Sequence, residues 1–331
     1  MFIDTGSDVS WVQCKPCSRC HSQADSLFDP SSSSTYSPFT CSSAACAQLR
    51  RDGQGNGCSG SQGLFGCCPS QPYQICQYIV NYGDGSRTIG TYSSDTLSLG
   101  SNAVSNFQFG CSQSESGLLL NDQTAGLIGL GGGAQSLATQ TAGSFGKAFS
   151  YCLPPTPGSF GFLTLGAATS GFVKTRMLRS THVPAYYGVL LQAIRVGGRQ
   201  LNIPTSVFSA GSIMDSGTII TCLPRTAYSV LSSAFRAGMK QYPPAQPRGI
   251  FDTCFDFSGQ STINVPSVAL VFSGGAVVDL ASDGIILDSC LAFAANRDDS
   301  SLGIIGNVQQ RTFEMLYDVG GGAVGFKAGA C

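Results

Sequence analysis

Charge is scarce in this chain. Only 11% of its 331 residues are Asp, Glu, Lys or Arg, and the formal net charge is -1. Neither a basic stripe nor an acidic tail occurs, so a nucleic-acid partner, which demands clustered Lys and Arg, is not expected. Long apolar runs are lacking as well. No stretch reaches the roughly 18 residues that a spanning helix needs, so no membrane association is expected. Asn-x-Ser/Thr sequons are missing, which removes glycosylation as a guide to location.

Turn formers, by contrast, are plentiful. Forty-two Gly and fifteen Pro break the chain repeatedly. Between the breaks lie short runs of branched and aromatic residues, among them Phe107 to Phe109, Phe162 to Leu165 and Tyr186 to Val196, which read as strands. One helix is predicted after Pro224, where Ala227, Val230, Leu231, Ala234, Phe235 and Met239 form an apolar stripe at helical spacing. The length exceeds one average domain and suits two lobes of similar size.

Two short cassettes carry the chemistry: Phe2-Ile3-Asp4-Thr5-Gly6-Ser7 and Ile213-Met214-Asp215-Ser216-Gly217-Thr218. Each is an apolar pair, an acid, a small hydroxyl residue, Gly, and a second hydroxyl residue. Such an acid leaves a buried strand in a tight turn, among donors that hold its carboxylate oxygens. Two carboxylates forced together do not both ionise, so over a range of pH one is charged and the other neutral. That pair holds a water, removes its proton with the ionised member and donates from the protonated one, without a metal or a covalent nucleophile.

Either cassette alone is an ordinary turn sequence. The pair says more, because each is followed by a matching apolar-apolar-Gly element, Leu127-Ile128-Gly129 and Ile304-Ile305-Gly306. The same order twice reads as a duplication. With these residues the chain resembles the pepsin-like aspartic proteases.

The resemblance extends to Trp11, seven positions past Asp4, and to Asn81-Tyr82-Gly83-Asp84-Gly85-Ser86, which looks like the flap hairpin. It implies that Asp4 and Asp215 are catalytic and that Thr5 and Ser216 brace them from behind. Ser7 and Thr218 would bond the outer carboxylate oxygens, while Gly6 and Gly217 let the backbone come close. Tyr82, with Gly83 and Asp84, would close over the substrate, its hydroxyl bonded to Trp11. Without the cassettes, Tyr82 and Trp11 would read as packing residues only. The fold implied is all-β and bilobal with a few short helices, the active-site cleft lying between lobes 1–170 (first aspartate, flap, cysteine-rich insert) and 171–331 (second aspartate). A monomeric endopeptidase acting on proteins or peptides at acidic pH, without cofactor or metal, follows from the same resemblance.

Fifteen cysteines point to an oxidising compartment, and hence to the secretory pathway, with an extracellular (apoplastic) or vacuolar destination. Nine lie between Cys14 and Cys76. Together with Trp11-Val12-Gln13-Cys14-Lys15-Pro16-Cys17 and Phe28-Asp29-Pro30 before four serines, they narrow the resemblance to the plant atypical, nepenthesin-like branch. The spacing of Cys14, Cys17 and Cys20, followed by His21, also suits zinc, but no clean fourth-ligand pattern follows and a disulfide-rich insert explains the cysteines equally. The resemblance implies bridges Cys14–Cys17, Cys20–Cys111, Cys41–Cys76, Cys152–Cys331 and Cys254–Cys290, with Cys46 pairing among Cys58, Cys67 and Cys68. An odd total leaves at least one thiol over, and Cys222 is the expected one.

The first lobe should end after Phe149 to Leu153, where Pro154, Pro155, Pro157 and Gly158 break the chain, with the boundary near residue 170. Family members carry a signal, a propeptide and a further strand ahead of the first cassette, whereas this chain starts three residues before Asp4. It therefore reads as shortened at its start, with Asp4 held loosely. A catalytically impaired scaffold that binds or inhibits another protein, as in the plant xylanase-inhibitor relatives, is the alternative. The presence of both aspartates and all four neighbouring hydroxyls favours the enzyme.

Overall fold

The computed structural model describes residues 1–51, 75–121, 123–154 and 159–331. Two compact units emerge, Met1–Ser144 with Thr181–Ala185, and Phe145–Ser180 with Tyr186–Cys331. Both are built mainly of strands, with short helices between them, as the turn-rich sequence predicts.

In the first unit, β1 (Phe2–Asp4), β2 (Trp11–Gln13), β3 (Gln77–Asn81), β4 (Arg87–Leu99), β5 (Asn102–Ser116) and β6 (Gly126–Gly129) share one sheet. Its order is β1-β6-β2-β5-β4, with β3 hairpinned onto β4. Gly100, at φ +60°, makes the two-residue turn that pairs Leu99 with Asn102; glycine takes this left-handed conformation without steric cost. One face buries Trp11, Tyr78 and Tyr92 completely. Helix α1 (Ala44–Arg51) lays Cys46 and Leu49, one turn apart, onto that cluster. Each aliphatic side chain so buried contributes about 1.5–3 kcal/mol.

The second unit holds β7 (Ala148–Cys152), β8 (Phe162–Leu165), β9 (Val173–Arg176), β10 (Gly188–Val189), β11 (Ser212–Met214), β12 (Thr221–Leu223), β13 (Phe293–Ala295), β14 (Gly303–Ile305), β15 (Phe313–Asp318) and β16 (Ala323–Ala328). One sheet runs β9-β16-β15-β7-β8 and another β10-β11-β14-β12-β13. A further sheet pairs Leu191–Val196 with Val268–Phe272. Strand β7 belongs to this unit because it pairs with β15 residue by residue, from Ala148 opposite Asp318 to Cys152 opposite Glu314. The pairing stacks Phe149 on Tyr317 at 4.7 Å between ring centres, with Tyr187 edge-on at 4.8 Å from Tyr317.

The predicted helix is α2 (Arg225–Gly238), which turns Ala227, Leu231 and Phe235 inward along one stripe. Proline offers no side-chain acceptor at its start. Asp299 supplies one instead, accepting from the Thr226 backbone N–H at 2.8 Å and its hydroxyl at 2.6 Å.

Cys152–Cys331 and Cys254–Cys290 are joined as the resemblance implied. Three other pairings need correction: Cys14 is bonded to Cys111, Cys17 to Cys20, and Cys46 to Cys76. Sheet register decides the first, because β2 runs parallel to β5 with Val12 opposite Cys111, and the Cys14 N–H donates to the Ser112 carbonyl at 2.9 Å. The Cys14 and Cys111 Cα atoms then stand 5.4 Å apart, within disulfide reach. Cys17 and Cys20 close on each other across the turn that remains. Helix α1 points Cys46 inward to Cys76, both fully buried, and Cys41 is disulfide-bonded as well. Cys58, Cys67 and Cys68, like Pro155, Pro157 and Gly158, lie outside the described residues. The cysteines of the zinc-like run are thus all in disulfides, and Cys222 is the free cysteine among the described residues.

Candidate active site

Asp4 ends β1, which lies parallel to β6 with Ile3 opposite Ile128 and Asp4 opposite Gly129. The chain then turns so tightly that its own donors reach back. The Gly6 N–H donates to Oδ1 at 2.8 Å and the Ser7 hydroxyl donates to Oδ2. Asp4 is 5% exposed and Thr5 beside it is fully buried. Across the strand pair, the Ser10 hydroxyl accepts from the Gly129 N–H at 3.1 Å. A Cβ at Gly129 would run into the Asp8 backbone, which is why the apolar-apolar-Gly element ends as it does.

Asp215 repeats this arrangement within the second unit. Strand β11 lies parallel to β14, Ile213 opposite Ile304 and Met214 opposite Ile305. Oδ1 accepts from the Gly217 and Thr218 backbone N–H groups at 2.9 and 3.3 Å, and Oδ2 accepts from the Thr218 hydroxyl at 2.7 Å. Asp215 is half-buried and Ser216 buried. The Thr221 hydroxyl accepts from the Gly306 N–H at 3.1 Å, and a Cβ at Gly306 would meet the Ile220 backbone. Ser10 and Thr221, each six residues past its aspartate, escaped the sequence reading. The signal was there, a hydroxyl at the same offset in both halves.

Trp11 and Tyr82 meet in the first unit. The indole N–H of Trp11 donates to the Tyr82 hydroxyl oxygen at 2.7 Å. Tyr82 ends the β3 arm of a hairpin in which its N–H donates to the Ser86 carbonyl at 2.9 Å. Asp84 holds the turn, accepting from the Ser86 N–H and hydroxyl, both at 2.8 Å, while Gly85 supplies φ +84°. Gly83 is exposed, and a Cβ added there would meet nothing within 4 Å. Burial, and then the charge of Asp4, hold the Tyr82 hydroxyl well above its ordinary range. It therefore keeps its own hydrogen while accepting from Trp11.

Cys222 lies in β12, opposite Ile304. Burial pushes its thiol up, and the charge of Asp215 pushes the same way.

Residues 1–167 match the family model described as xylanase inhibitor N-terminal, and residues 186–328 the one described as xylanase inhibitor C-terminal. An aspartyl protease family protein of Arabidopsis thaliana is 44% identical over 341 aligned positions, covering 100% of this chain and 69% of that protein. Aspartic proteinase nepenthesin-2 of Nepenthes gracilis is 35% identical, covering 100% of this chain and 74% of its own length. Among solved structures, conglutin gamma from lupine seeds shares the fold with a TM-score of 0.70 at 22% identity, over 98% of this chain and 86% of the other.

Proposed function

Because the chain belongs to the plant pepsin-like aspartic protease family, in its nepenthesin-like branch, we propose that it is an endopeptidase. Asp4 and Asp215 together activate one water molecule and hydrolyse peptide bonds at acidic pH. The observation that carries this reading is one carboxylate environment built twice. In each, a glycine N–H holds Oδ1 and a hydroxyl three residues on holds Oδ2. A scaffold kept for binding alone has no need of two such fully furnished carboxylates. Their completeness favours the enzyme over the inhibitor function for which the family models are named.

With one aspartate ionised and its partner protonated, the ionised carboxylate takes a proton from water as its oxygen attacks the scissile carbonyl. The protonated one donates to the carbonyl oxygen. The tetrahedral intermediate collapses when the amide nitrogen is protonated and leaves. The glycine and hydroxyl donors fix each carboxylate, and a misplacement of about one ångström costs on the order of a hundredfold in rate. Tyr82 covers the bound peptide from the hairpin tip, with Trp11 holding its hydroxyl. Substrates are proteins or peptides. The disulfides support an oxidising compartment, in the secretory pathway or beyond it.

The test is cleavage of a denatured protein at acidic pH and its block by pepstatin. A folded protein with its disulfides formed that cuts nothing under these conditions overturns the proposal.

A further inference from the structure

Polar residues that neither cassette uses gather in the first unit. His21 and Glu115 have side chains 1% and 0% exposed, and they meet through Nδ1 and Oε2 at 2.7 Å. The other ring nitrogen lies 2.7 Å from the Thr124 carbonyl oxygen and 3.2 Å from the Gln13 amide nitrogen. A carbonyl only accepts, so Nε2 carries a hydrogen. One further proton then sits in the Nδ1···Oε2 contact, whichever of the two atoms holds it.

Oε1, the other carboxylate oxygen, accepts from the Ser112 hydroxyl at 3.1 Å. Each hydroxyl owns one hydrogen, so this single donation directs everything upstream. Ser112, having donated, accepts from Thr88 at 2.9 Å, and Thr88 accepts from Tyr78 at 2.7 Å. Tyr78 lies in β3 and Thr88 in β4, the two arms of the hairpin that carries Tyr82 at its tip. The relay therefore runs from a buried ion-pairing site into both arms of the hairpin.

We infer that His21 and Glu115 are positioning residues for Tyr82: the proton they share holds the pair together at the foot of the Ser112–Thr88–Tyr78 relay, and its loss as pH rises parts the pair and loosens the β3–β4 hairpin. With that proton gone, the imidazole keeps a single hydrogen for two acceptors, Oε2 of Glu115 and the Thr124 carbonyl, each 2.7 Å away, so one of these contacts sets acceptor against acceptor in a water-excluded site, where unpaired polar groups are costly. The titratable groups facing Glu115 are His21 from the segment after β2, Tyr78 from β3 and Tyr82 from the hairpin tip. Burial holds the Glu115 carboxyl above the usual carboxylate range, opposed by His21 and Ser112. A raised carboxyl contributes stability that is complete below the ordinary Glu range and is lost as pH rises through the raised value. The hairpin is thus firm in acid and loosens above it. Its consequence for turnover rests on the protease reading, but its physical basis does not.

Trp11 is the sole tryptophan of the chain, and its N–H is bonded to Tyr82, so its fluorescence reports on the hairpin tip directly. The experiment titrates the full chain between about pH 4 and about pH 9, following Trp11 emission and amide hydrogen exchange over residues 77–90. Wild type should show a reversible emission step, with exchange at least about tenfold faster above it. Glu115→Gln supplies an amide that donates to Nδ1 and accepts from Ser112 without titrating, and it should hold the acid-form emission throughout. Tyr78→Phe cuts the relay at nearly constant shape and should abolish the step even where Glu115→Gln proves not to fold. A wild type without a step, or a step surviving in either variant, overturns the inference. None of these readouts needs turnover. A protein that shows the step and cuts no substrate therefore counts against the protease reading and not against this one.

Discussion

Cys222 occupies in the second unit the register position that Trp11 occupies in the first. Each stands seven residues past its aspartate, on a strand antiparallel to the apolar-apolar-Gly element, Trp11 opposite Leu127 and Cys222 opposite Ile304. The duplication has kept the backbone and changed the side chain. Where one copy bonds Tyr82, the other leaves a thiol under the influence of Asp215.

That thiol should be sluggish. Its raised pKa keeps it protonated at neutral pH, and the thiolate is the reactive form. Alkylation by iodoacetamide at pH 7 should run at least about tenfold slower than for an unperturbed cysteine, gaining speed only at alkaline pH. A rate at pH 7 matching that of a free thiol would contradict the environment described.

Asp4→Asn and Asp215→Asn should each remove essentially all hydrolysis, and the double variant should be little worse than either, since the proposed mechanism makes the two one unit. The pH profile of kcat/KM should be a bell centred in acid, because activity needs one carboxylate charged and one protonated. Substantial pepstatin-sensitive turnover in Asp215→Asn would refute the mechanism.

Tyr82→Phe leaves the buried Trp11 N–H without its acceptor. Such an orphaned donor costs about 1–3 kcal/mol, to be read from urea denaturation. Turnover should fall by more than this loss of folded protein explains. In a double-mutant cycle with Trp11→Phe the two stability costs should not add, since one bond is being broken twice. Simple additivity would mean that the pair is packed but not coupled.

Glycines at two positions should respond oppositely. A Cβ at Gly110 lands in the Tyr78 ring, and overpacking of this kind costs about 1–3 kcal/mol. Gly83 has nothing within 4 Å of the same added carbon. Thermal denaturation should therefore show Gly110→Ala clearly less stable than Gly83→Ala, and equal midpoints would show that Tyr78 moves aside at no cost.

The cassettes and the helix after Pro224 were legible in the sequence because each is written in a short contiguous run with fixed chemistry, whereas the Trp11–Tyr82 pairing, 71 positions apart, followed only from the family resemblance. Three disulfides were not legible. The choice between Cys17 and Cys111 as partner for Cys14 is made by the register of β2 on β5, which joins residues 97 positions apart. The His21–Glu115 contact spans 94 positions, and nothing local marks either residue as buried. A strand's alternation says which face Glu115 takes, but not that a histidine from a loop will be waiting there.

The Cys152–Cys331 bridge spans 179 residues, and it alters what damage to the second unit looks like. A single backbone cut anywhere between those cysteines leaves both pieces covalently tied, so a nicked molecule migrates as one species until a reductant is added. Autolysis in that stretch would be silent on a non-reducing gel. Storage stability of such preparations is therefore properly judged by comparing reduced with unreduced lanes, where the difference counts the cuts that the fold conceals.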